Sequence, residues 1–100
     1  MDRWATSNRT FVGGAPNQRV RWLFAGFRSG KAIYGHFVYR DRVRKTYRYG
    51  IARGACGTLA VRAPRFPTRP RRGRWYIQFD QAKRYDHGTK PRRETHVTVT

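Results

Sequence analysis

Residues 31–51 read KAIYGHFVYRDRVRKTYRYGI. In the first half Ile33, Gly35, Phe37 and Tyr39 alternate with Tyr34, His36, Val38 and Arg40. After Asp41-Arg42 the alternation resumes, with Tyr47, Tyr49 and Ile51 on one side and Thr46, Arg48 and Gly50 on the other. A period of two, filled with β-branched and aromatic side chains, marks strands rather than helices.

The same period extends outward. In RVRWLFAGF (19–27), Val20, Trp22 and Phe24 share one face, opposite Arg21, Leu23, Ala25 and Phe27. Arg28-Ser29-Gly30-Lys31 then reads as a hairpin turn, with Gly30 supplying a positive φ. Downstream, the turn Gly54-Ala55-Cys56-Gly57 leads to TLAVR, where Leu59 and Val61 are in phase. RWYIQF (74–79) sets Trp75, Ile77 and Phe79 against Tyr76 and Gln78. DQAKRYDHG (80–88) reads as a loop or one helical turn, Pro91-Arg92-Arg93 as a break, and THVTVT as a closing strand. Gly26, Gly35 and Gly50 within strand-like stretches read as bulges or corners rather than ligand contacts.

With two Leu, one Glu and one Met, strong helix formers are scarce. The expected fold is all-β: a small five- or six-stranded barrel, OB-like or SH3-like, or a bent antiparallel sheet, carrying basic arms. Trp22, Phe24, Phe37, Trp75, Ile77 and Phe79 are its expected core. Residues 1–18 read as an irregular N-terminal arm, with Trp4 and Phe11-Val12 as docking points and a turn over Gly13–Asn17. Residues 19–100 read as one small β domain, with an Arg/Pro-rich loop over 62–74.

Charge dominates the rest. Lys and Arg number 23 against 5 Asp and Glu, a net charge of +18, and 19 of the cations are Arg. Leu, Ile, Val and Phe together make 18 of 100 residues, under the roughly 20% at which a highly charged chain is suspected of disorder. The 15 aromatic residues argue the other way. A globule so charged repels itself, so an anionic partner is expected: nucleic acid, an anionic membrane surface or an acidic protein. Arg favours the first, because its planar fork binds phosphate bidentately and stacks on bases.

The densest cations are Arg62, Arg65, Arg69, Arg71, Arg72 and Arg74, on a segment that Pro64, Pro67 and Pro70 should keep extended. Such a segment can lay guanidinium groups along a phosphate track. Arg40, Arg42, Arg44, Lys45, Arg48, Arg92 and Arg93 form further clusters. Tyr34, Tyr47, Tyr49 and Tyr76 lie among them and could stack on unpaired bases, although a chain poor in aliphatics also needs rings for its core.

The expected function is binding of nucleic acid, RNA or single-stranded in preference to duplex, within a ribonucleoprotein or a viral or phage nucleoprotein assembly. One alternative is a small, basic, metal-independent ribonuclease toxin drawing on His36, His87 and His96, of which His87 beside Asp86 is the best placed. The other is an interaction module, such as a phage-type inhibitor, docking on an acidic protein. Catalysis is not the primary expectation.

Other classes are set aside. Cys56 is the sole cysteine, and no spacing fits a metal site, so neither metal nor cofactor is expected. No apolar run approaches the roughly 18–20 residues of a membrane helix, and membrane binding is not expected. Met1-Asp2-Arg3-Trp4 lacks a signal peptide's apolar core, so a cytoplasmic site or a nucleoprotein particle is expected. No recognition helix or zinc finger is present to read duplex DNA. Assembly with other proteins or with itself stays open.

Overall fold

The computed structural model describes residues 8–11 and 18–100, which hold seven strands. In chain order these are β1 (Asn8–Phe11), β2 (Arg19–Phe24), β3 (Ala32–Tyr39), β4 (Arg42–Ile51), β5 (Leu59–Pro64), β6 (Gly73–Asp80) and β7 (Arg93–Val99). The described residues contain no helix, and none is long and apolar enough to cross a membrane. Six strands fall within residues 19–100 and the seventh, β1, lies in the segment expected to be an irregular arm. The rest of that segment, with Trp4, Val12 and the 13–17 turn, lies outside the described residues, as does the side chain of Phe11.

Five strands form one sheet in the order β1-β7-β6-β3-β4, and β2 pairs with β5 in a second. Pairing is antiparallel except between β1 and β7. The result is the bent-sheet form of the expectation and not a closed barrel. β3 is an interior strand between β6 and β4, buried on both faces, and its pairing with β4 is irregular at Ile33/Tyr34 and Phe37/Val38.

The core lies between the sheets. Ile33, Phe37, Tyr39, Tyr49, Trp75, Ile77, Phe79, Val97 and Val99 line the inner face of the large sheet. Phe24 and Ala63 of the small sheet meet them, with Trp22, Leu59 and Val61 packed alongside. Rings carry much of this contact: Phe24 lies 5.1 Å from Tyr49 and 5.5 Å from Phe79, and Trp22 lies 5.6 Å from Phe79. Each fully buried ring contributes roughly 1.5–3 kcal/mol of burial, and each pair about 0.5–1.5 kcal/mol beyond its area. A core low in aliphatics is thus made from aromatics. The six residues expected in it are there, with Trp22 only partly covered.

Two expectations are corrected. Arg28–Lys31 is not a hairpin turn, because β2 pairs with β5 and β3 joins the other sheet. The chain is turned away just after β2, where Gly26 N–H donates to the Cys56 carbonyl and Phe27 N–H to that of Gly57. This contact requires Gly57: its φ is +56°, and a Cβ there would collide with the Phe27 backbone. The 62–74 segment is also not one extended loop. Arg62, Ala63 and Pro64 complete β5, and the proline is tolerated because a two-stranded sheet consists of edges. Residues 65–68 bend, Phe66 is buried, and Gly73 and Arg74 already belong to β6.

Candidate nucleic-acid interface

Two segments distant in sequence meet at one end of the large sheet. The β3–β4 turn places Arg40 and Asp41 at φ of 52° and 62°, a tight reversal that presents Arg40 and Arg42 to solvent. Tyr39, at its base, is buried and donates its hydroxyl to the Arg72 carbonyl at 2.7 Å. The neighbouring Trp75 donates Nε1–H to the Arg71 carbonyl at 2.9 Å. The first bond holds the Arg-rich loop against the turn, and the second fixes the loop on β6 just after it. The Arg40 and Arg44 guanidinium carbons sit 5.3 and 5.7 Å from the centre of the Tyr39 ring, and Arg44 Nε also donates to the Tyr39 carbonyl. Arg40, Arg42, Arg44, Arg71, Arg72 and Arg74 are all exposed at this end, an arginine collar whose backbone is fixed by two buried rings.

Beside the collar a groove of about 630 Å³ opens on the outer face of the large sheet. Tyr76 forms its floor, directly opposite His96 across the β6–β7 ladder, with Val38 on the other flank. Arg40, Asp41 and Arg74 line one end, and Tyr85, His87 and Glu94 also reach it. Tyr76 Oη lies 2.7 Å from Glu94 Oε1, 2.9 Å from Gln78 Oε1 and 3.2 Å from His87 Nδ1. The ring centroids of His87 and His96 lie 5.7 and 5.3 Å from that of Tyr76. Desolvation and the bond to Glu94 push the Tyr76 hydroxyl well above the ordinary phenol range, so it stays protonated. Partial burial raises Tyr85 as well, against the opposing pull of Arg92.

The loop between β6 and β7 covers the sheet next to the groove, over a buried polar network. His36 is fully buried, with Nδ1 2.9 Å from Thr46 Oγ1 and Nε2 3.0 Å from both Asp80 Oδ1 and the Ala82 carbonyl. Nε2 faces two acceptors and therefore carries a proton. Gln78 Nε2 donates to Asp80 Oδ2 at 2.7 Å and to the Asp86 carbonyl at 2.9 Å. Ala82 N–H donates to Asp80 Oδ1, and the Tyr85 ring packs 5.5 Å from His36. His36 is thus a structural histidine that fastens the loop carrying His87. Arg92 adds a second fastening, donating to the His87 carbonyl and lying 3.5 Å from Glu94.

The structure divides the residues singled out in the sequence. Arg40, Arg42, Arg44, Arg71, Arg72, Arg74 and Tyr76 come together. Tyr34 and Arg48 pair with each other towards the opposite end of β3, about 17 Å away at a strand rise of 3.3 Å per residue. Lys45 is exposed on the edge strand β4, and Arg69 is exposed in the loop. Arg62 is exposed on β5 of the small sheet, and Arg65 donates its backbone N–H to Gln18. Three expectations change. Tyr49 is buried at 6% exposure and offers no face to a base, and Tyr47 is half-buried against it at 4.9 Å. Arg93 lies over the Phe27 ring at 5.6 Å and serves packing. Glu94 and Tyr85 were not singled out, because only the β6–β7 register and the covering loop bring them to Tyr76.

Among the described residues no three His, Cys, Asp or Glu side chains cluster as metal ligands. No family model, curated protein or solved structure matches this chain. Among the described residues, fold and surface give seven strands in two sheets, with an arginine collar beside a groove on the outer face of the larger sheet.

Proposed function

We propose that this protein binds nucleic acid, RNA or another single-stranded form, through phosphate contacts at the arginine collar. The observation that carries the reading is the joining of two Arg-rich segments by the Tyr39–Arg72 hydrogen bond. A fixed backbone beneath the guanidinium groups lowers the ordering cost of binding. An acidic protein could use the same charge. What favours nucleic acid is the adjoining groove, where half-buried Tyr76 and Tyr85 offer ring surface beside Arg40 and Arg74.

Salt titration with a fluorescent single-stranded oligonucleotide tests the reading. Six collar arginines, each meeting at most one phosphate, give a log–log slope down to about −4 on a single strand. A slope near zero, or no binding at low salt, would overturn it.

A further inference from the structure

We propose that the groove cleaves RNA by transesterification, with His87 as general base and His96 as general acid. This rests on the phosphate-binding reading and adds chemistry to it. The requirements of the reaction are few. A base must take the proton of a ribose 2′-hydroxyl, an acid must give one to the leaving 5′-oxygen, and cations must stabilise the charged phosphorane between them. The nucleophile is part of the substrate, so no co-reactant is needed.

The groove brings these groups together. His87 and His96 both pack against one ring, that of Tyr76, and line the same groove. Arg40 and Arg74 line the same groove and supply the cations. The roles of the two imidazoles follow from their partners. Tyr76 donates its hydroxyl proton to Glu94, so its oxygen can accept from His87 Nδ1–H at 3.2 Å. In the neutral ring, that bond leaves Nε2 as the unprotonated nitrogen, and Nε2 is the base. Glu94 and Tyr76 are positioning residues, the third-group orientation that activated bases commonly use. Arg92 holds both the His87 carbonyl and Glu94 in place. His96, opposite Tyr76 on β7, lines the groove as the second imidazole and takes the role of acid.

Step by step, His87 Nε2 removes the 2′-hydroxyl proton and the 2′-oxygen attacks phosphorus. The P–O5′ bond breaks and the 5′-oxygen takes its proton from His96. The products are a 2′,3′-cyclic phosphate and a 5′-hydroxyl, and reverse proton transfer through solvent restores both histidines. A groove of about 630 Å³ lies within the range that accommodates a nucleotide.

The test uses four labelled DNA oligonucleotides, each with a single ribonucleotide (A, C, G or U), and an all-DNA control, in EDTA. Wild type, His87→Ala and His96→Ala are purified in parallel. The wild type should cut at least one chimera on the 3′ side of the ribonucleotide, leave a cyclic phosphate, and spare the control. Each variant should lose about 10²-fold or more while binding the all-DNA strand as wild type does. On a nucleoside 3′-(4-nitrophenyl phosphate), whose leaving group needs no proton, His96→Ala should recover and His87→Ala should not. Tyr76→Phe should lower kcat with KM changed less than about twofold. Intact binding without cleavage overturns the catalytic proposal and leaves the binding reading standing. Cleavage of the chimeras by either variant at the wild-type rate, or activity lost in EDTA, also overturns it. Absence of binding to any strand removes the binding reading, and the proposal with it.

Discussion

Gly35 on β3 and Tyr49 on β4 are packed so closely that a Cβ on the glycine would stand 2.7 Å from the tyrosine ring. The same Cβ would also stand 3.2 Å from Phe79. The glycine is therefore a packing gap into which the Tyr49 ring fits, at the point where both sheets converge through Phe24 and Trp22. Gly35→Ala should destabilise the fold by about 2 kcal/mol through overpacking, lowering Tm by about 10 °C for a domain of this size. Thermal unfolding monitored by near-UV circular dichroism reads this directly, and an unchanged Tm would contradict the packing account.

Tyr49 has a second consequence. Its hydroxyl is buried with no hydrogen-bond partner among the described residues, and desolvation, followed by repulsion from Tyr47, raises it far above the ordinary phenol value. Below pH about 10 the phenol is neutral in both folded and unfolded chains, so it gives no pH dependence. Above that, the unfolded chain ionises and the folded one resists, so stability falls as pH rises. Tyr49→Phe should stabilise the protein by about 1 kcal/mol at neutral pH, by removing an unsatisfied polar group. It should also make the alkaline slope shallower by about 1.4 kcal/mol per pH unit. Urea denaturation of both proteins at pH 7, 10 and 11 measures both effects.

These core relationships show which part of the fold could be read from sequence. The alternation of Trp75, Ile77 and Phe79, or of Val20, Trp22 and Phe24, reflects which side of a strand is buried, and burial leaves a period in the sequence. Pairing leaves no such trace. β2 seeks β5 because the backbone bonds of Gly26 and Phe27 to Cys56 and Gly57 turn the chain aside, a contact across thirty positions that neither segment announces. β1 pairs in parallel with β7 from a segment, NRTF, without alternation. The site divides in the same way. Arginine density marked residues 62–74, but the meeting of that loop with Arg40 and Arg44 depends on Tyr39 and Trp75, two core residues whose polar atoms reach out of the core. Glu94 joins Tyr76 only through the register of β6 on β7.

The buried network under the covering loop should be a stability element with a local readout. Asp80 accepts from His36, Gln78 and the Ala82 amide while fully buried. Asp80→Ala takes an acceptor from all three, leaving the Ala82 amide and one Gln78 N–H unpaired while His36 keeps the Ala82 carbonyl. It should cost about 1–3 kcal/mol for each donor left unsatisfied. Hydrogen exchange should rise first in residues 81–88, because their fastening to the sheet runs through Asp80 and Gln78. If exchange rises uniformly across β3 and β6 instead, the network does not act as a local clasp.

The collar can be separated from the rest of the charge. Arg71, Arg72 and Arg74 are exposed, and their side chains make no hydrogen bond or ring contact among the described residues, whereas Arg44 and Arg40 lie over Tyr39 and Arg93 over Phe27. Replacing the first three together with Ala removes three cations while leaving the carbonyls of Arg71 and Arg72 to accept from Trp75 and Tyr39 as before. The single-strand salt slope should become shallower by about 2, with Tm little changed or raised, because self-repulsion in a +18 chain falls. Replacing Arg19, Arg21 and Arg62 on the small sheet removes the same charge from another face of the molecule. If both triple variants lose binding equally, net charge governs the interaction. If only the first does, binding is localised at the collar, where the groove is positioned to receive the same strand.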